Sequence, residues 1–273
     1  KIGKRLYYGS RVPNHPGMKK FGTVQDLYYW AANGDVDTLL VLQNYFSAFY
    51  PTLDTQTEGS VAMYDRSGTY LGTTAFNLAH CAAARFRVSS LLESLSAAPE
   101  GGYGTLEVHI GIPDAVLREI KDKKAGYFWD RFYISYVTSE GSTCFVHGVD
   151  KTHIFEEGKE DPVDWYGGPE NRSWTPEMPV NMDEYKRLSV IMLNRTPKPT
   201  DIALTLTDAA GRSQAWSVSV PPGGVHRFEL TAENTAELDP RELKMRIDGM
   251  ATRYGRPTVF KEFRNGAISA MHC

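Results

Sequence analysis

The feature that most constrains this chain is a series of short stretches in which apolar and polar residues alternate. Ile202, Leu204 and Leu206 alternate with Ala203, Thr205 and Thr207. Trp216, Val218 and Val220 alternate with Ser217 and Ser219, and Leu243, Met245 and Ile247 alternate with Lys244, Arg246 and Asp248. Successive side chains on a strand point to opposite faces, so each stretch presents one apolar and one polar face, as half-buried antiparallel strands do. Turn signals separate them: Asp208 to Gly211, Pro221-Pro222-Gly223-Gly224, and Asn265-Gly266. Short strands punctuated at this spacing argue for a sandwich or barrel.

The same grammar occurs earlier in the chain. Leu106, Val108 and Ile110 alternate with Glu107 and His109. Ser60 to Tyr64 followed by Asp65-Arg66-Ser67-Gly68 resembles Ala203 to Thr207 followed by Asp208-Ala209-Ala210-Gly211. Residues 131–147 fall without gaps on 256–272 at an offset of 125, pairing Arg131 with Arg256, Gly141 with Gly266 and His147 with His272. Each of these segments reads as a hairpin whose second strand ends in His. Leu106 to His147 spans 12 more residues than Leu243 to His272. One helix over 112–123 accounts for the excess, with Pro113 at a first helical position, Asp114 in the first turn and lysines at the close. The expected fold is therefore all-β: two tandem antiparallel β-sandwich modules, an internal duplication, with one short helix in the first. The expected division is an irregular aromatic-rich lead-in over 1–37, module 1 over 38–150, a linker over 151–186 and module 2 over 187–273.

Composition narrows the function classes. Of 273 residues, 41% are hydrophobic and 23% charged, with a net charge of −3, so nothing supplies the concentrated basic face that nucleic acid or an anionic membrane requires. No apolar run approaches the length of a membrane span. Three cysteines (Cys81, Cys144 and Cys273) are an odd set, which argues against a disulfide framework and for a reducing compartment, the cytoplasm. The sequence begins at Lys1 rather than Met, which fits removal of a short leader.

Residues 190–230 carry an apolar strand ending in Leu193-Asn194, an alternating strand, and Val220-Pro221-Pro222-Gly223-Gly224 leading into Val225-His226-Arg227-Phe228. This stretch resembles the β-sandwich family of the sensory rhodopsin transducer. The resemblance implies a small antiparallel sandwich that oligomerises and binds partners or small ligands, so a homo-oligomer is an expectation. The chain departs from that single-module family in its duplication and its long linker.

Candidate site residues form three groups. Each cysteine lies near a histidine, but His80-Cys81 are adjacent and Cys144 and His147 are three apart. Such spacings put the two side chains on opposite faces of a strand, so no metal site is expected from them; only a bend or chain end, such as His272-Cys273, could bring such a pair together. His147 and His272 end equivalent strands and are candidate acid–base or ligand-donor groups, with Glu262 a candidate carboxylate partner. Against this stands the plainer reading that each imidazole caps a strand end. The third group is aromatic: Tyr29 and Trp30 in DLYYWAANGD, and Trp165 and Tyr166 in DWYGGPENRSW. Aromatic faces beside polar groups suit the CH faces and hydroxyl edges of sugars, although such residues also anchor long segments by packing. Arg131 and Arg256 complete the candidate ligand contacts. No Gly-x-Ser-x-Gly, Gly-rich phosphate loop, His-Glu-x-x-His or dinucleotide fingerprint is present, and no cofactor is implied. The expected function is binding of a small polar organic ligand, a carbohydrate or related metabolite, in a cleft between the modules. The alternatives are an enzyme (a hydrolase, lyase or isomerase) pairing one of the histidines with a carboxylate, and a structural oligomer.

Overall fold

A computed structural model describes residues 23–120, 133–148, 152–154, 177–194, 199–249 and 257–272. The alternating stretches are strands, and they build four antiparallel sheets. In the first module, β1 (Thr23–Ala31), β3 (Thr57–Asp65), β4 (Tyr70–Leu78), β6 (Tyr103–Gly111) and β9 (Thr152–Ile154) form one sheet in the order β4-β3-β6-β1-β9. Its companion orders β2 (Val36–Gln43), β5 (Ala83–Arg87), β7 (Tyr133–Thr138) and β8 (Thr143–His147) as β5-β2-β7-β8. In the second module, β10 (Glu177–Val180), β12 (Thr200–Thr207), β13 (Ser213–Val220) and β15 (Leu243–Asp248) give β10-β15-β12-β13. The remaining strands, β11 (Tyr185–Leu193), β14 (Val225–Leu230), β16 (Thr258–Phe263) and β17 (Ile268–His272), give β14-β11-β16-β17.

Matching β1–β8 to β10–β17 in chain order reproduces every neighbour in both sheets; among the described residues β9 has no counterpart. The registers agree at residue level. His147 pairs with Tyr133 and His272 with Thr258, both partners being the first residue of their strand. Leu40 pairs with Ile134 and Phe86, and Val190 with Val259 and Phe228. The turns match as well. Asp65 Oδ1 accepts from the backbone N–H groups of Ser67 and Thr69, and Asp208 Oδ1 from those of Ala210 and Arg212. Gly68 and Gly211 close these turns at φ 80° and 81°, a left-handed conformation that glycine adopts without a Cβ penalty.

Each module has its own apolar core. Val61, Met63, Leu106, Val108, Ile110, Leu40 and Ile134 fill the first, and Leu188, Val190, Ile202, Leu204, Met245, Ile247 and Val259 the second. Among the described residues three short α-helices lie in module 1 rather than one: α1 (Tyr45–Phe49), α2 (Val88–Ser94) and α3 (Asp114–Ile120). The third is the helix expected over 112–123. The first two, of five and seven residues, are too short to show a helical period. Among the described residues no helix is long and apolar enough to cross a membrane.

Two expected boundaries need correction. Residues 23–31, assigned to an irregular lead-in, form β1, a strand inside the first sheet and buried along its whole length. The interval 151–186, taken as linker, contributes β9 to module 1 and β10 to module 2. β1 escaped detection because both of its faces are covered, so its sequence shows no alternation.

Candidate functional site at the module junction

The outward face of the β14-β11-β16-β17 sheet packs on module 1. Ile191, Leu193, Val225 and Phe260 join the apolar cluster of the first module. Phe260 meets Tyr136 edge-on at 5.4 Å, and the Tyr136 hydroxyl donates to the Tyr29 carbonyl at 3.0 Å. Backbone contacts tie the loops together: Val225 N–H donates to Arg66 O, and Thr105 Oγ1 donates to Gly223 O, both at 3.0 Å.

A charged network runs along this junction. Arg187 holds Glu262 through Nε and Nη2, both 2.7 Å from the same oxygen, Oε1, a charge-assisted contact. Arg227 pairs with Glu229, donates to the Tyr29 hydroxyl at 3.3 Å and lies over the Tyr103 ring at 5.0 Å. Burial pushes the Tyr29 phenol up to about 12, with Arg227 opposing the shift. Tyr29 is thus a neutral hydrogen-bonding group at any physiological pH.

Beside this network a groove of about 160 Å³ has one wall from each module: Val36, Thr138 and Ser139 from the first, Lys186, Arg187 and Glu262 from the second. Through Val36, Thr138 and Ser139 it joins a larger depression of about 610 Å³ over module 1. The floor of that depression is apolar (Ala32, Val36, Leu92, Ala97, Pro99, Val137), and its polar groups are Asn33, Asp37, Arg87, Ser89 and Glu93. Asp37 accepts from Arg87 Nη1 at 3.3 Å and from Ser89 Oγ at 2.7 Å, which fixes part of the rim.

The expected site residues are therefore dispersed. Tyr29 and Glu262 come together at the junction. Trp30 does not join them: it is fully buried in the core of module 1, and its indole N–H donates to Tyr64 O at 3.1 Å and Thr105 O at 3.0 Å. His147 and His272 stack at 4.5 Å between ring centroids. His272 Nε2 lies 2.6 Å from His147 O and His147 Nδ1 2.9 Å from Gly148 O. Carbonyls only accept, so each of these nitrogens carries its proton, and both rings fasten strand ends at the junction. Thr258, opposite His272, lies four residues along β16 from Glu262, about 13 Å at strand rise, so neither histidine forms a dyad with that carboxylate. Arg131, Trp165, Tyr166, Arg256 and Cys273 lie outside the described residues.

None of the family models searched matches the chain, and no curated protein matches it. Among solved structures it is similar to a beta-glucuronidase from glycoside hydrolase family 2, at 11% identity and a TM-score of 0.22 over 92% of this chain and 24% of that one. It is also similar to a tetra-tandem repeat in the extending region of a large adhesion protein, at 11% identity and a TM-score of 0.14 over 92% of this chain and 49% of that one. The chain thus spans a quarter to a half of those proteins' lengths, and at such scores neither likeness bears on what it does.

Sequence reasoning passed over one further pair. Glu107 and His109, on one face of β6, approach to 3.6 Å and are almost wholly buried. The alternation in β6 suggested a solvent-facing polar side, yet module 2 reaches that side: Leu193, Asn194 and Gly223 share a small void with Glu107. Cys144 faces inward, and burial drives its thiol up to about 12, so it is an inert core residue. Among the described residues no three His, Cys, Asp or Glu side chains are grouped to hold a metal ion.

Proposed function

We propose that the protein binds a small polar organic molecule, a carbohydrate or related metabolite, in the groove that runs from module 1 into the junction. The observation that carries this reading is the depression of about 610 Å³ continuous with a junction groove to which both modules contribute. Its volume falls in the range of small-molecule sites, and it combines an apolar floor with a few placed polar groups. A sugar ring lays its CH face on Val36, Leu92 and Pro99 and turns its hydroxyls to Asn33, Asp37, Arg87 and the Arg187–Glu262 pair. The aromatic platform expected from Trp30 is not part of this reading, because that ring is in the core. A reducing compartment, the cytoplasm, belongs to the same proposal: Cys81 and Cys144 are free thiols.

The test is a thermal-shift screen with mono- and oligosaccharides and small hydroxy acids, followed by calorimetric titration of any hit. A ligand that binds only the native state raises the midpoint, by an amount that grows with the logarithm of its concentration over its dissociation constant. Arg87→Ala and Arg187→Ala are expected to weaken a hit at least tenfold while the variants keep the far-UV circular dichroism of the parent. Absence of any shift across the library, or unchanged affinity in both variants, removes the proposal.

A further inference from the structure

The internal repeat supplies a template for asking what covers the surface of module 1. In module 2, the outward face of β14-β11-β16-β17 is the face that docks on module 1. Its counterpart in module 1 is the outward face of β5-β2-β7-β8, which meets module 2 at His147, lines the depression at Asp37, Arg87 and Val137, and leaves Tyr133 and Phe145 exposed between them. Register equivalence places Val41 where Ile191 sits, Leu39 where Ser189 sits and Tyr133 where Thr258 sits. Phe145 occupies the position of Ala270. Tyr133 and Phe145 are 43% and 65% exposed and stand edge-on to one another at 5.6 Å. Two of the most exposed large hydrophobic side chains among the described residues are therefore neighbours on this one face, flanked by the half-buried Leu39, Val41 and Val137.

We infer that this face is a self-association surface and that its occupant is the same face of a second copy, related by a two-fold axis. Two observations favour a copy of this chain over an unrelated partner. The sister face in module 2 already associates with a module of the same architecture, so this face of the fold is one that packs face-on. The face is also self-complementary. Its cross-strand rows read Arg87, Leu39, Ser135, Phe145 and Arg85, Val41, Tyr133, His147 from the β5 edge to the β8 edge. A two-fold axis along the strands lays the β5 edge of each copy over the β8 edge of the other. Arg87 then lies over Phe145 and Val41 over Tyr133, a cation–π contact and an apolar contact made twice by symmetry, while Leu39 lies over Ser135 and, at the ends of its row, Arg85 over His147. A head-to-tail chain of copies is disfavoured. The surface of module 2 equivalent to the one that receives the docking face carries Lys244, Arg246 and Asp248, an exposed charged row with no apolar patch to receive Phe145. Four strands of about five residues each measure roughly 15 by 15 Å. The two copies then bury roughly 450 Å² of flat area, well below a standard interface of about 1,600 Å², so the dimer is a weak and transient one.

Sedimentation equilibrium of the full chain from below 1 to roughly 200 μM tests this. The parent is expected to pass from the 30.6 kDa chain mass to twice that value. Phe145→Asp and Tyr133→Asp are expected to stay monomeric throughout with unchanged thermal midpoints, because both side chains are exposed. Phe49→Ser, at an exposed aromatic on α1, is expected to dimerise like the parent. A parent that stays monomeric at the highest concentration, an open-ended series of larger species, or a dimer that survives Phe145→Asp and Tyr133→Asp would each overturn the inference.

Discussion

The two modules share a strand order, a set of registers and a pair of Asp-anchored turns, yet equivalent surfaces meet opposite environments. On β6 of module 1 the side chains at 107 and 109 are Glu and His, buried beside module 2. At the equivalent places on β15 of module 2 they are Arg246 and Asp248, an ion pair open to solvent. The backbone is the same at both places. What differs is the neighbour, and the neighbour decides whether a same-face pair of charges is screened by water or held in a low dielectric where any loss of a partner is costly. Position within the repeat sets the geometry, and position within the pair of modules sets the chemistry.

The largest expected effect separates the two cores. Trp30→Ala removes a fully buried ring and a shared indole N–H bond at the centre of module 1, and its cost is expected to be about 4 kcal/mol. Trp216 on β13 is only partly buried, so Trp216→Ala is expected to cost about 1–2 kcal/mol. Denaturant titration followed by circular dichroism ranks the two, and equal losses would mean that the modules do not differ in this respect. A smaller effect separates the matched turns. Gly68→Ala and Gly211→Ala each place a Cβ at a positive φ, a penalty of about 1 kcal/mol. At Gly211 the new methyl meets open space, whereas at Gly68 it collides with the Pro222 carbonyl of module 2. Gly68→Ala is therefore expected to lose more stability than Gly211→Ala and, unlike it, to increase proteolytic cleavage between the modules. Equal losses with no change in cleavage would show that the Pro222 contact is soft.

The smallest effect is a pH dependence at the junction end of β14. Burial, and then the nearby Arg66 charge, lower the pKa of His226 below its ordinary 6.5. The unfolded chain takes up a proton there at a pH at which the folded chain resists it. The stability this group supports is present above 6.5 and is lost as pH falls through that value toward the folded one. Thermal midpoints at about pH 7.5 and about pH 5.5 are expected to differ by less in His226→Gln than in the parent. An identical difference in both proteins would assign the acid sensitivity elsewhere.

The legible part of this fold is the part with one wet face and one dry face. β12, β13 and β15 alternate cleanly, and the hairpins 133–147 and 258–272 keep their Gly turns at one offset, so the duplication can be read from residue spacing. β1 could not be read that way, because module 2 covers the face that in a lone sandwich would be polar. Its TVQDLYYWA run mixes buried Gln25, Asp26 and Tyr residues with no period. The site was harder still. Tyr29, Arg187, Arg227 and Glu262 are brought together from four strands distant in sequence; Tyr29 and Glu262 stood out in the sequence, whereas Arg187 and Arg227 alone look like ordinary surface residues. The one available signal was the repeat itself: Arg187 and Glu262 occupy the positions of Asp37 and Val137 in module 1, a change of chemistry at places of fixed geometry.

The unmatched strand β9 has a consequence for colonies of molecules rather than for one. It pairs with β1 at Thr23 to Gln25 and so occupies hydrogen-bonding groups that would otherwise line an open sheet edge. The corresponding border strand in module 2, β10, has no such cover among the described residues, but it is four residues long and holds Pro179 between Met178 and Val180. Proline has no N–H to offer and a short strand offers little to copy. One border is shortened by a three-residue edge strand and the other is interrupted by a proline, two ways of blunting the hazard of sheets growing from molecule to molecule into fibrils.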